Sequence, residues 1–365
     1  MVSKDLERTA QALVTGSKGL LAADETVSTL SRRLLARGIE STPDSRRAYR
    51  EMLFSTPGIG NCISGVILHD ETIRQRSAKG SSFPELLTRQ GVMPGIKVDR
   101  GASPLSGSSG EHITDGLDGL RERVKDYAAL GARFAKWRAV IVVSDTRPTP
   151  LCLRDNAHAL ARHAAICQAH GVVPMVEAEV TTDGTHTIER SEEVTGAILR
   201  EVFDALLDHK VILEGIVLKP NMVVPGAMCP QKASSEAVAA ATLRCLRRFV
   251  PAAVPGVAFL SGGQDPLEAT ARLSAINQQP GPKPWKLTFS FGRALQDEAL
   301  GAWGGWPENV TAGQLALLHR VKCVSVAAAG LYFPEMESSP QSLESNNRGS
   351  GSGWHERLAA STAQG

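Results

Sequence analysis

The chain has 365 residues, 42% hydrophobic and 21% charged, with a net charge of +2. These values suit a globular protein with a large core and exclude a polycation built for nucleic acid. No run of 18 apolar residues is present, so no membrane-spanning helix is predicted.

Eight short apolar runs follow one another along the chain, each read as a strand buried on both faces. The first is G-L-L-A-A-D, ending at Asp24, and the second C-I-S-G-V-I-L-H, ending at His69. P-G-I-K-V-D surrounds Lys97, F-A-K-W-R-A-V surrounds Lys136, and V-V-P-M-V-E-A-E contains Glu177. G-I-V-L-K ends at Lys219, G-V-A-F-L-S-G-G contains Ser261, and L-T-F-S-F-G-R contains Ser290. The segments between them read as helices. Leu117, Leu120, Val124 and Tyr127 recur at helical spacing, residues 155–170 end at a capping Gly171, and residues 234–249 behave likewise. Eight strands alternating with helices predict a single-domain (β/α)8 TIM barrel of the α/β class. An open doubly wound sheet is the alternative, weakened because no G-x-G-x-x-G turn follows the first strand. The barrel is assigned to residues 1–332. Residues 333–365, rich in Ser, Gly and Asn, are expected to form a flexible tail.

In such a barrel the catalytic groups gather at the C-terminal ends of the strands. Those ends carry Asp24, Lys97, Asp99, Lys136, Arg138, Glu177, Glu179, Lys219 and Arg293. Charges at six strand ends are too many for a solvated rim. Alternation along a strand puts Lys136 with Arg138 on one face, and Glu177 with Glu179 on another. Burying an ammonium favours its neutral, nucleophilic form, so Lys219 is read as an imine-forming amine. Glu177 is the natural general acid/base, and Asp24 suits proton removal from a substrate hydroxyl. Lys97, Arg138 and Arg293 suit an anionic substrate. Ser261-Gly262-Gly263 and Gly292-Arg293 offer close backbone N–H approach to a phosphate after the seventh and eighth strands. Metal catalysis fits less well. The nine histidines include no H-E-x-x-H, and His158 and His163 are read as surface or packing residues.

With these blocks in place, the chain resembles the class I fructose-bisphosphate aldolases. The matching stretches are G-L-L-A-A-D-E (19–25), G-I-K-V-D (95–99), F-A-K-W-R (134–138), V-E-A-E (176–179) and L-K-P-N-M-V-V-P-G (218–226). F-L-S-G-G-Q (259–264), L-T-F-S-F-G-R-A-L-Q (287–296) and A-W-G-G (302–305) complete the set in family order. The resemblance implies a lyase that reversibly cleaves fructose 1,6-bisphosphate to dihydroxyacetone phosphate and glyceraldehyde 3-phosphate. It implies Lys219 as the Schiff-base residue, Glu177 as acid/base, and Asp24, Lys136 and Arg138 at the cleavage site, with Glu179 ordering the site. It implies that Ser261, Gly262, Gly263, Ser290, Gly292 and Arg293 hold the ketose 1-phosphate, with Arg33 and Lys97 near the 6-phosphate. It further implies no metal or other cofactor, a homotetramer, and roles in glycolysis and gluconeogenesis.

Two departures stand out. Thr26-Val27-Ser28-Thr29 replaces a Ser/Gly pattern after Asp24-Glu25, and the last tyrosine is Tyr332, with Ala363-Gln364-Gly365 at the end. The missing terminal tyrosine predicts a smaller preference for fructose 1,6-bisphosphate over fructose 1-phosphate. Another Schiff-base lyase, or a transaldolase, is the alternative within the barrel class, disfavoured by two phosphate sites. A non-catalytic scaffold is the alternative from another class, disfavoured by the intact Lys219, Glu177 and Asp24. The six cysteines, Cys62, Cys152, Cys167, Cys229, Cys245 and Cys323, form no C-x-x-C pair and sit among apolar neighbours. With no apolar signal segment at the start, they predict reduced thiols in a cytoplasmic protein with no nucleic-acid or membrane partner.

Overall fold

The computed structural model describes residues 2–338. Its strands are β1 (Gly19–Ala23), β2 (Ile63–Leu68), β3 (Met93–Lys97), β4 (Ala102–Pro104), β5 (His112–Thr114), β6 (Phe134–Ile141), β7 (Val173–Val180), β8 (Val217–Pro220), β9 (Gly256–Phe259) and β10 (Lys286–Phe291). Eight of them close into a parallel barrel in the order β1-β10-β9-β8-β7-β6-β3-β2. All eight apolar runs supply a barrel strand, and the (β/α)8 expectation holds. β4 and β5 form a separate antiparallel hairpin beyond β3.

Two cores follow from the alternation of side chains. Outward-facing residues pack under the helices; Trp137 of β6 is fully buried there and stacks on His163, ring centroids 5.7 Å apart. Inside the barrel Leu20, Ile67, Phe134, Val173, Met175, Val217 and Ala258 form a second cluster. The helix Val2–Leu13 closes the bottom of that cluster with Leu6, Ala10 and Leu13, followed by Val14. Phe134 fills the interior only because Gly95 opposite has no side chain: a Cβ there would meet the Phe134 ring at 2.2 Å. Burying such a ring contributes on the order of 2–3 kcal/mol.

Helix ends follow local sequence. Thr149 accepts from the Cys152 amide, and Pro150 opens the helix Pro150–Ala169, which stops just before Gly171 at φ +70°. The helix expected from Leu117 begins at Leu120 instead. Gly119, at φ +65°, turns the chain immediately before it.

The first residues of the segment expected as tail, up to Ser338, are among those described. Pro334–Glu337 forms a 3-10 turn with Met336 buried and Glu337 held by Arg320. One apolar anchor and one ion pair are enough to dock this polar segment. The remainder of the expected tail, 339–365, lies outside the described residues, as does the chain end on which the substrate-preference expectation rests. All six cysteines are buried and unpaired. No helix among the described residues is long and apolar enough to cross a membrane.

Candidate active site

The strand register brings the titratable groups together. Glu177 of β7 lies opposite Arg138 of β6 on one side and Lys219 of β8 on the other, while Lys97 of β3 lies opposite Lys136 of β6. Parallel neighbours in register project to the same side of a barrel wall, so these charges meet at its C-terminal mouth. Glu177 divides two buried amines: its Oε1 is 3.0 Å from Lys219 Nζ and its Oε2 is 3.0 Å from Lys136 Nζ. Lys136 Nζ also lies 2.7 Å from Asp24 Oδ2 at the end of β1. Lys136, Glu177 and Lys219 are each less than 5% exposed, so their charges act on one another with little screening.

Burial alone would push both carboxyls up. The neighbouring Lys136 and Lys219 outweigh it, holding Asp24 well below the usual carboxylate range and lowering Glu177. Burial likewise works against the Lys136 ammonium, but Asp24 and Glu177 overcome it and raise its pKa. Glu177 is therefore a carboxylate in contact with the Lys219 amine, placed to accept its proton. Lys136 is a fixed cation beside the reacting centre.

These groups line a cavity of about 660 Å³. Of the residues singled out from the sequence, Asp24, Arg33, Lys97, Lys136, Arg138, Glu177, Glu179, Lys219, Ser261, Gly262, Gly263, Ser290, Gly292 and Arg293 border it. The far wall has the chemistry of an anion cradle. Gly262 and Gly263 are successive left-handed residues at φ +55° and +80°, a conformation open to glycine that turns consecutive N–H groups the same way. The helix Arg293–Trp303 starts after Gly292 with no side-chain cap, leaving its first amides available at the positive end of the dipole. Ser290 Oγ is buried and finds no protein partner. Arg293 forms no ion pair among the described residues.

The other cations arrive already partnered. Lys97 is held by Asp99, and Arg138 by Glu179, which raises the guanidinium's pKa against the opposing effect of burial. Arg33 is clamped by Glu25 and, at 2.8 Å, by Asp297. A phosphate reaching these three side chains exchanges one anion for another, unlike one reaching Arg293. Asp99, read from the sequence as a strand-end charge of the site, does not border the cavity. It is buried, holds Lys97 and accepts from the Arg138 amide at 3.3 Å.

Several contributors were not singled out from the sequence. Glu25 borders the cavity and is gripped by Arg33 and by the fully buried Arg50, at 2.9 Å. Thr182 and Asp183 border it from the loop after β7, and Thr182 Oγ1 donates to Gly262 O at 3.1 Å. The acidic Glu25 directly after Asp24 was a signal that could have been used; a loop Thr-Asp pair carries none. Thr26 and Thr29 both border the cavity, and Thr26 Oγ1 accepts from the Thr29 amide, capping the helix Val27–Leu35. Tyr332 lies elsewhere, donating to Glu337 Oε1 at 2.9 Å.

Comparison with known proteins gives the family. A family model described as fructose-bisphosphate aldolase class-I matches residues 5–348. The fructose-bisphosphate aldolase of Echinococcus multilocularis is 51% identical over 337 residues, covering 92% of this chain and 93% of that protein. Cytosolic fructose-bisphosphate aldolase 4 of Arabidopsis thaliana is 49% identical over 341 residues, covering 93% and 87%. The solved fructose-bisphosphate aldolase of Plasmodium falciparum superposes with a TM-score of 0.89 at 46% identity, covering 91% of this chain and 96% of that one. The chain belongs to the class I fructose-bisphosphate aldolases, a family of lyases.

Proposed function

We propose that the family's reaction, reversible cleavage of fructose 1,6-bisphosphate to dihydroxyacetone phosphate and glyceraldehyde 3-phosphate, runs in this chain through an imine on Lys219. The observation that carries this reading is the buried contact of Glu177 Oε1 with Lys219 Nζ, 3.0 Å. Glu177 takes a proton from Lys219, and the neutral amine attacks the ketose carbonyl. A proton moves from the attacking nitrogen to the carbinolamine oxygen, Glu177 gives its proton to the resulting hydroxyl, water leaves, and a protonated imine remains. Asp24 removes the proton of the hydroxyl on the fourth carbon. The bond between the third and fourth carbons breaks, and its electron pair moves toward the iminium nitrogen. The aldehyde phosphate leaves; protonation of the enamine and hydrolysis release the ketose phosphate and restore Lys219. Lys136 stabilises the negative charge that develops beside it, and Arg138 and Glu179 order the site.

The cradle of Ser261, Gly262, Gly263, Ser290, Gly292 and Arg293 holds the 1-phosphate, with Arg33 and Lys97 at the 6-phosphate end. Family membership supports a homotetramer, which light scattering on the purified chain would test. The buried, unpaired cysteines support a cytoplasmic protein. The decisive experiment is borohydride trapping with dihydroxyacetone phosphate in excess chelator, followed by peptide mass mapping. A stable adduct on Lys219, absent from Lys219→Met, is expected. A folded protein with no adduct, or with the adduct on another lysine, would overturn the assignment.

A further inference from the structure

The helix Val310–Ala328 carries His319 and Cys323 one turn apart on one face. The turn Pro334–Glu337 folds back and sets Glu337 against both. His319 Nε2 lies 3.8 Å from Cys323 Sγ and 3.8 Å from Glu337 Oε2, and all three atoms fall within 4.8 Å of one another. None of the three residues borders the catalytic cavity. In a tetrahedral zinc site, metal–ligand bonds of about 2.0–2.3 Å put the ligand atoms about 3.4–3.6 Å apart. The triangle found here is slightly expanded, and rotation of three side chains by about 1 Å or less closes it to that size.

We propose that His319, Cys323 and Glu337 form a divalent-cation site of the zinc type, which fastens the turn Pro334–Glu337 to the helix Val310–Ala328. The donor set is one imidazole nitrogen, one sulfur and one carboxylate oxygen. It favours zinc over magnesium or calcium, which take oxygen ligands almost alone. Cys323 is fully buried, and the side chains of His319 and Glu337 are 11% and 16% exposed. The ion is thus shielded yet reachable, with water as its fourth ligand. On binding, the S–H bond of Cys323 breaks, the thiolate lone pair goes to the metal, and one proton leaves to solvent. Thiolate and carboxylate supply two negative charges to the ion, with Arg320 remaining as a neighbouring cation.

The surroundings orient Glu337 for this. Tyr332 Oη donates to its Oε1 at 2.9 Å, and Arg320 holds Oε2 while donating to Thr270 Oγ1 at 2.9 Å. The carboxylate is therefore fixed from two sides, with Oε2 facing His319. The remaining lone pair of Oε2 meets the ion while Arg320 keeps both its contacts. The site is separate from the imine chemistry, and its loss leaves that chemistry in place.

Cobalt(II) titrated into the full-length, chelator-treated protein tests the site. A sulfur-to-cobalt charge-transfer band and intense tetrahedral visible bands should saturate at one equivalent. Cys323→Ser should abolish the charge-transfer band, His319→Ala should weaken cobalt binding about tenfold or more, and Cys62→Ser should change neither. Absence of the band in the wild-type protein at saturating cobalt, or its persistence in Cys323→Ser, would overturn the proposal. Should either variant fail to fold, the wild-type protein gives the answer by alkylation and mass mapping. Zinc must slow modification of Cys323, and an equal rate with zinc and with chelator refutes the site.

Discussion

Replacing Lys136 by methionine keeps the side-chain length and removes one charge from a buried cluster. The lost ammonium sits 2.7 Å from Asp24 Oδ2 and 3.0 Å from Glu177 Oε2. At an effective dielectric constant of about 20, each contact carries about 5–6 kcal/mol of attraction before desolvation is counted. Burial already works against both carboxylates, so without Lys136 their pKa values rise. The acid limb of the pH profile of kcat/KM should move upward, and kcat at neutral pH should fall about 100- to 10,000-fold. Two buried acids left facing one lysine should also destabilise the fold by about 3–5 kcal/mol, read by chemical denaturation. A Lys136→Met enzyme with an unmoved acid limb and near-normal kcat would refute the account of the cluster.

Three further perturbations probe other parts of the chain. His163 is fully buried with its pKa pushed down to about 3 by burial, so it stays neutral in the fold while the unfolded chain takes up a proton below about 6.5. The stability it supports is complete above that pH and declines by about 1.4 kcal/mol per unit as pH falls toward 3, so His163→Leu should remove about 2–3 kcal/mol of the loss between pH 7 and 4.5. Equal denaturation midpoint shifts in both proteins would contradict this. Gly262→Ala places a Cβ in a left-handed position, 2.9 Å from Leu260 Cδ1, and should raise KM about tenfold through about 1–2 kcal/mol of strain; an unchanged KM would count against the cradle. Arg33→Ala should lower the melting temperature as well as raise KM, because Arg33 also ties Glu25 to Asp297. A KM effect alone would identify it as a phosphate ligand with no structural part.

The barrel was readable in the sequence because each strand is buried on both faces and therefore reads as an unbroken apolar run, as in I-S-G-V-I-L of β2. The site was readable because its charges interrupt those runs: Lys136 and Arg138 flank Trp137, and Glu177 and Glu179 flank Ala178. What escaped lacks such contrast. The hairpin of β4 and β5 has three residues per strand, mostly part-exposed, so no apolar period marks it. The clamp on Glu25 joins residues far apart in the chain, Arg33, Arg50 and Asp297, and only tertiary proximity makes it a unit. Whether a given cation keeps its own acid is also invisible in one dimension: Arg293 and Arg138 look alike in sequence, and among the described residues only Arg138 is paired.

The helix Val2–Leu13 plugs the barrel floor with side chains that share one apolar cluster with Val217 of β8 and Ala258 of β9, strands that begin more than two hundred residues later. This helix is synthesised before either strand, so its apolar stripe stays incompletely covered until β9 has emerged. Until then Leu6, Ala10 and Leu13 are surface that a chaperone can hold. Assembly of this barrel ends on the helix that precedes all its strands, and slow steps in its maturation should trace to that helix rather than to the catalytic rim.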